Sequence, residues 1–187
     1  MPDSKSIAKN VITLLLVLIV AFAGVYLGMR FRERQSSPPV MEQQFITKLT
    51  VSTPFPDVAV LSEDGVTNST GQLLGGKPAV VLFLEFGCPP CKVMTAKWEQ
   101  ARTDEKLAEL NLFGLTFSPQ HEIRKYRLDN KLTFPVYADT GNVFMDRFEV
   151  TNYPYMVAIN RTGAIVSHSF DANEEIDADE LMRLLEK

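Results

Sequence analysis

Ala79 to Phe86, AVVLFLEF, is an almost continuous apolar run that stops at Gly87. Its length, its β-branched and aromatic content and the preceding Gly75-Gly76-Lys77-Pro78 predict a central strand buried on both faces. Cys88-Pro89-Pro90-Cys91 follows at once. After that, Cys91, Met94, Trp98 and Ala101 recur at helical spacing. A chain with this order must place its cysteine pair where a buried strand turns into an amphipathic helix.

The chain of 187 residues holds two cysteines, three positions apart. A disulfide scaffold needs more pairs across longer loops. A zinc site needs four ligands, and His121 and His168 stand at unrelated positions. Lys92 after the second cysteine removes the haem-attachment pattern. One close pair of thiols is the pattern of redox chemistry, with a passive surface disulfide or a two-thiol metal site as the bland alternatives.

A thiolate attacks a disulfide; a thiol does not, and a free cysteine titrates near ~8.5. The first turn of a helix carries unpaired N–H groups and about half a positive charge. Cys88 at that spot is expected to be exposed, ionised and attacking. Pro89 and Pro90 suit the opening turn, where their missing N–H groups are little needed, and they stiffen the loop. Cys91 lies one turn in, on the buried stripe, and is expected to resolve the mixed disulfide. Glu85 interrupts the apolar run three positions before Cys88. Facing inward it would exchange a proton with Cys91; otherwise it points to solvent at the strand end.

The remaining globular sequence alternates. Leu112 to Phe117 reads as a strand. Ser118-Pro119 is a helix-start signal, with Ser as cap, for a helix from His121 to Asp129. Asn142 to Phe148 reads as a short helix. Tyr155 to Ile159 and Ala164 to Phe170 form a hairpin around Asn160-Arg161-Thr162-Gly163. Asp177 with Glu180 opens a final helix whose apolar stripe is Leu181, Leu184 and Leu185. The fold class implied is α/β, a mixed sheet flanked by helices.

The first ten residues are a flank. Residues 11–29 carry no charge and span about 28 Å as a helix, close to the ~30 Å hydrocarbon core. They are expected to form a transmembrane anchor. Ala21-Phe22-Ala23 resembles a signal-peptidase site, but the apolar run continues past it to Met29. Lys5 and Lys9 before the span, against Arg30, Arg32 and Arg34 after it, slightly favour a catalytic domain inside. A lone anchor ahead of a redox domain argues for the extracytoplasmic side, which is the expectation retained. Residues 30–50, with Ser36-Ser37-Pro38-Pro39, read as a tether. Residues 51–187 make up the globular domain. The net charge of −4 and the lack of a basic face argue against nucleic acid as a partner.

These residues resemble the thioredoxin superfamily, and within it the TlpA/ResA-like membrane-anchored thiol–disulfide oxidoreductases. Gly76-Lys77-Pro78-Ala79-Val80-Val81 with Phe83 is similar to the segment entering the active-site strand. Cys88-Pro89-Pro90-Cys91 is common in that group. Phe134-Pro135-Val136-Tyr137-Ala138-Asp139 is similar to the insertion those proteins share with peroxiredoxins. Tyr153-Pro154 ahead of Tyr155 to Gly163 resembles the cis-proline loop, strand and turn. The resemblance implies a cis Pro154 beside the cysteines and backbone groups of Tyr153 offered to an extended substrate. With Pro89 and Pro90 these form the candidate substrate-contacting set. It further implies protein thiol or disulfide substrates, a membrane electron donor, a role in cytochrome c maturation or thiol repair, and no cofactor beyond the Cys88–Cys91 disulfide. Three departures stand out: Gly87 where Trp is usual, Met94 where many relatives are acidic, and Leu82 where thioredoxin keeps a buried Asp.

Two other functions fit parts of the pattern. A peroxiredoxin-type peroxidase needs Thr or Ser three residues before its attacking cysteine and Pro further upstream; Glu85 and Val81 stand there. A copper-handling dithiol module would use both thiolates as soft ligands, with Met94 or His168 recruited.

Overall fold

The structure is a computed structural model that describes residues 47–186 and Phe22. Apart from Phe22, the expected anchor at 11–29 lies outside the described residues, as does the tether ahead of Thr47. Among the described residues, no helix is long and apolar enough to cross a membrane.

Seven strands form one sheet in the order β2-β1-β5-β4-β3-β6-β7. They are β1 (Ala59–Leu61), β2 (Thr67–Ser69), β3 (Ala79–Leu84), β4 (Asn111–Thr116), β5 (Val136–Ala138), β6 (Tyr155–Ile159) and β7 (Ile165–Ser169). β3, β4 and β5 run parallel; β6 pairs antiparallel with β3, β7 with β6, and β1 with both β5 and β2. Between the described residues 47 and 186, five α-helices accompany them: α1 (Thr70–Leu74), α2 (Pro89–Ala101), α3 (Ile123–Asp129), α4 (Val143–Phe148) and α5 (Ala178–Leu185).

β3 is the axis of the molecule, and every one of its six residues is buried. Successive side chains point to opposite faces. Val80, Leu82 and Leu84 join Cys91, Met94 and Trp98 of α2, Ile123 and Tyr126 of α3, and Leu181 and Leu185 of α5 in one core. Ala79, Val81 and Phe83 join Phe55, Leu74, Phe144 and Tyr155 in the other. There Phe83 meets Phe144 edge-on at 5.0 Å and stacks on Tyr155 at 5.5 Å. Each such buried aromatic is worth roughly 1.5–3 kcal/mol. A mixed sheet buried on both faces explains why β3 has no polar alternation.

The expected elements shift at their ends. β3 stops at Leu84, and residues 85–88 turn. The expected helix from His121 splits into a 3-10 turn, Gln120–Glu122, and α3. Ser118 does not cap it. Its N–H donates to the Thr116 hydroxyl, and its own hydroxyl accepts from the Phe86 N–H at 3.4 Å. The final helix starts as expected, with the Asp177 carboxylate accepting from Asp179 and Glu180 N–H groups. The domain also takes in residues ahead of 51. Leu49 is buried, and Lys48 N–H donates to the Phe148 carbonyl at 2.9 Å.

Candidate active site

The site grows out of the end of β3. Glu85, Phe86 and Gly87 reverse the chain, and Gly87 takes φ = 88°. That left-handed conformation is the province of glycine, which accounts for its presence here. A side chain there would meet open space, so the backbone, not crowding, selects the residue. Cys88 N–H donates to the Glu85 carbonyl at 3.3 Å, closing the turn.

Cys88 is the N-cap of α2, with φ −76° and ψ 112°. Pro89 and Pro90 occupy the first two helical positions and have no N–H to leave unpaired. The next residue able to donate is Cys91, and its N–H points at the Sγ of Cys88, 3.2 Å away. The cap is therefore a sulfur rather than the usual oxygen. The two cysteines are joined as a disulfide with Cα atoms 5.3 Å apart. Cys88 is half-buried, whereas Cys91 is 0% exposed and sits in the core with Leu82 and Met94. The outer sulfur is half-buried rather than exposed as expected from the sequence, and the inner one is fully enclosed. Pro89 and Pro90 are exposed beside the outer one.

The Tyr153–Pro154 peptide is cis. Tyr155, the next residue, pairs with Phe83 on β3, which brings the loop to the end of the sheet where the cysteines lie. Tyr153 is half-buried and packs against the same core as Cys88 and Phe86. Its hydroxyl donates to the Val150 carbonyl at 3.0 Å, and its ring lies 5.7 Å from Phe117. Burial, with the charges of Glu85 and Asp139, pushes its phenol well above the ordinary range.

Glu85 does not take the inward position that proton exchange with Cys91 requires. The strand ends one residue earlier, so its side chain escapes the alternation and is exposed. At the position of thioredoxin's buried Asp, Leu82 is 0% exposed. The copper set is not assembled either. Met94 lies in the core with Cys91, whereas the His168 ring stands edge-on to Tyr155 of the opposite core. Among the described residues no group of three or more His, Cys, Asp or Glu is placed to hold a metal.

Sequence reading passed over the aromatic wall beside the cysteines. Phe86 stacks on Tyr126 of α3 with ring centroids 4.1 Å apart. The signal was Phe86 itself, an aromatic between a charged residue and a glycine at a strand end. Asp139 closes the Phe134-Pro135-Val136-Tyr137-Ala138-Asp139 segment. It is 1% exposed and accepts from the Phe144 N–H at 2.8 Å, which ties the end of β5 to α4.

The arrangement is a mixed α/β, thioredoxin-like fold, and solved structures share that fold. A secreted disulfide oxidoreductase from Mycobacterium tuberculosis, described as homologous to E. coli DsbE, is 20% identical, with a TM-score of 0.54 over 68% of this chain and 92% of that one. The thioredoxin domain of a thiol-disulfide oxidoreductase from Bacteroides vulgatus is 15% identical, with a TM-score of 0.61 over 73% and 99%. The peroxidoxin BcpB from Mycobacterium tuberculosis is 14% identical, with a TM-score of 0.61 over 73% and 96%. No curated protein matches the chain. At these identities the likeness is one of fold. The AhpC/TSA family profile matches residues 51–169, well over half of the sequence, and the chain belongs to that family.

Proposed function

We propose that the chain is a protein disulfide reductase of the TlpA/ResA type, held by one N-terminal span with its catalytic domain on the extracytoplasmic side of a membrane. The observation that carries this reading is the Cys91 N–H aimed at the Cys88 Sγ at the start of α2. In the reduced protein the same donor and the helix dipole stabilise a thiolate there and not at Cys91. The uncharged segment 11–29 and the likeness to a secreted disulfide oxidoreductase support the placement.

The Cys88 thiolate attacks one sulfur of a substrate disulfide. A mixed disulfide forms through Cys88, the substrate S–S bond breaks, and one substrate thiolate leaves and takes a proton. Cys91 then loses its proton and attacks the Cys88 sulfur. The mixed disulfide breaks, the second substrate thiol departs, and the Cys88–Cys91 bond closes. The substrate has gained two electrons and two protons, and the dithiol has lost them. A membrane electron donor restores the dithiol. Tyr153 and Pro154 offer the backbone against which an extended substrate lies, with Pro89 and Pro90 at its side.

Insulin reduction by the full chain tests the activity, and the equilibrium potential tests its direction. A value near thioredoxin's roughly −270 mV supports a reductant, and one near −120 mV an oxidant. Membership of the AhpC/TSA family and the likeness to a peroxidoxin favour a second reading, a peroxidase. Consumption of hydrogen peroxide faster than reduction of insulin would select it.

A further inference from the structure

On the face of the sheet behind the cysteine helix lies a cavity of about 200 Å³. Its floor is apolar: Met94 and Trp98 of α2, Met156 and Ala158 of β6, and Leu181 of α5. Its rim is charged and one-sided. Asp171, Glu174, Glu175, Asp177 and Glu180 line it against a single cation, Lys97. Lys97 is already engaged, its ammonium donating to the Glu174 carbonyl at 3.2 Å. Asp177 is committed to capping α5, and Glu180 lies 3.8 Å from Arg183. Glu174 and Glu175 are exposed and pair with no cation among the described residues.

The cavity does not end at that rim. An adjoining depression shares Lys97, Glu175 and Ile176 and continues along α2 past Gln100 and Thr103. Two adjoining depressions suit an extended chain better than a compact small molecule. An apolar floor beneath unpaired carboxylates suits alternating apolar and cationic side chains: one sinks an aliphatic group, and the next places its ammonium or guanidinium on the rim.

We propose that this groove is a second binding site, distinct from the cysteine pair, for a basic, apolar-interspersed peptide segment of a partner protein. The occupant lies above Met94 and Trp98, which share a helix and a core with Cys91. The reducing end of the domain is thereby left free for its substrate. Charge complementarity and the doubled groove carry the choice of a peptide.

Trp98 is the chain's one tryptophan and is 2% exposed on the floor of this cavity, so its emission reports filling directly. The probe is a synthetic peptide of alternating lysine and leucine, titrated into the full-length chain. A saturable change in Trp98 emission is expected, weakened about tenfold or more in Glu174→Lys/Glu175→Lys and with a peptide carrying glutamine for lysine. Both substituted residues are exposed and outside the cysteine site, so insulin reduction should be retained and reports correct folding. No saturable change overturns the proposal. So does equal binding by the charge-reversed variant or by the glutamine peptide. Spermidine producing the same emission change also overturns it, because surface charge alone would then account for the signal.

Discussion

The N–H of Cys91 lies 3.2 Å from the Sγ of Cys88, and between them stand two prolines that have no N–H to offer. The first two donors of the helix are deleted and the third is aimed at the outer sulfur. This gives the two cysteines different chemistry although they are covalently alike. Cys88 has a donor, a helix dipole and access to solvent, whereas Cys91 is 0% exposed among apolar side chains.

The asymmetry predicts which variant traps partners. Cys91→Ser leaves the mixed disulfide on Cys88 unresolved, so disulfide-linked adducts accumulate and vanish under reductant. Cys88→Ser leaves only a buried sulfur and traps few. Non-reducing gels of the two variants, with partners identified by mass spectrometry, read the difference. Equal trapping by both contradicts the assignment.

Glu85 is exposed at the end of β3. A charge in water contributes little to a buried thiol. Glu85→Gln should therefore leave insulin reduction within about twofold of the parent, because exposed charges interact weakly across solvent. A loss of an order of magnitude that steepens with pH would restore Glu85 as a proton carrier.

Gly114 lies in the middle of the sheet, between β3 and β5. A Cβ added there would stand 3.0 Å from Val136 Cγ2 and 3.1 Å from Leu84 Cδ1, both from buried residues. Gly114→Ala should cost roughly 1–3 kcal/mol by overpacking, read as a lower urea midpoint with an unchanged slope. Leu84 precedes the active-site turn, so insulin reduction should fall with stability.

Burial pushes the Tyr155 phenol up to about 12 from 10.0, with the Thr47 side chain pulling the other way. The folded chain thus holds this proton more tightly than the unfolded chain does. The associated stability is fully present below pH 10.0 and is lost as pH rises toward about 12. Tyr155→Phe has no proton to lose. Urea unfolding at about pH 8 and about pH 11 should show a smaller alkaline loss for the variant. An equal loss in both would mean that other groups account for it.

The central strand, the cysteine helix, the terminal hairpin and the last helix were legible because each carries a strong local pattern. β3 is continuous apolar sequence, and Cys91, Met94 and Trp98 mark one helical face. The first hairpin was not. β1 and β2 have three residues each, and Thr67-Asn68-Ser69 holds no apolar residue, so period and length both fail as signals. Their neighbour α1 could have been read from Ser69 and Gln72, whose side chains form a reciprocal capping box. β5, Val136-Tyr137-Ala138, is likewise only three residues long, too short to show a period of its own. Ser118 has the right spacing for a cap but serves the Phe86 N–H instead, a long-range use that local rules do not register. The position of the cysteine pair at the start of a helix was legible, whereas the stacking of Phe86 on Tyr126 joins residues forty positions apart and is a product of the fold alone.

The most direct measurement is the pH dependence of alkylation at each sulfur in the reduced full-length chain, followed by mass spectrometry. The account predicts that Cys88 reacts first, with a midpoint a unit or more below the ~8.5 of a free thiol, while Cys91 stays protected across that range. A Cys88 midpoint at or above the free-thiol value, or alkylation of Cys91 ahead of Cys88, would contradict it.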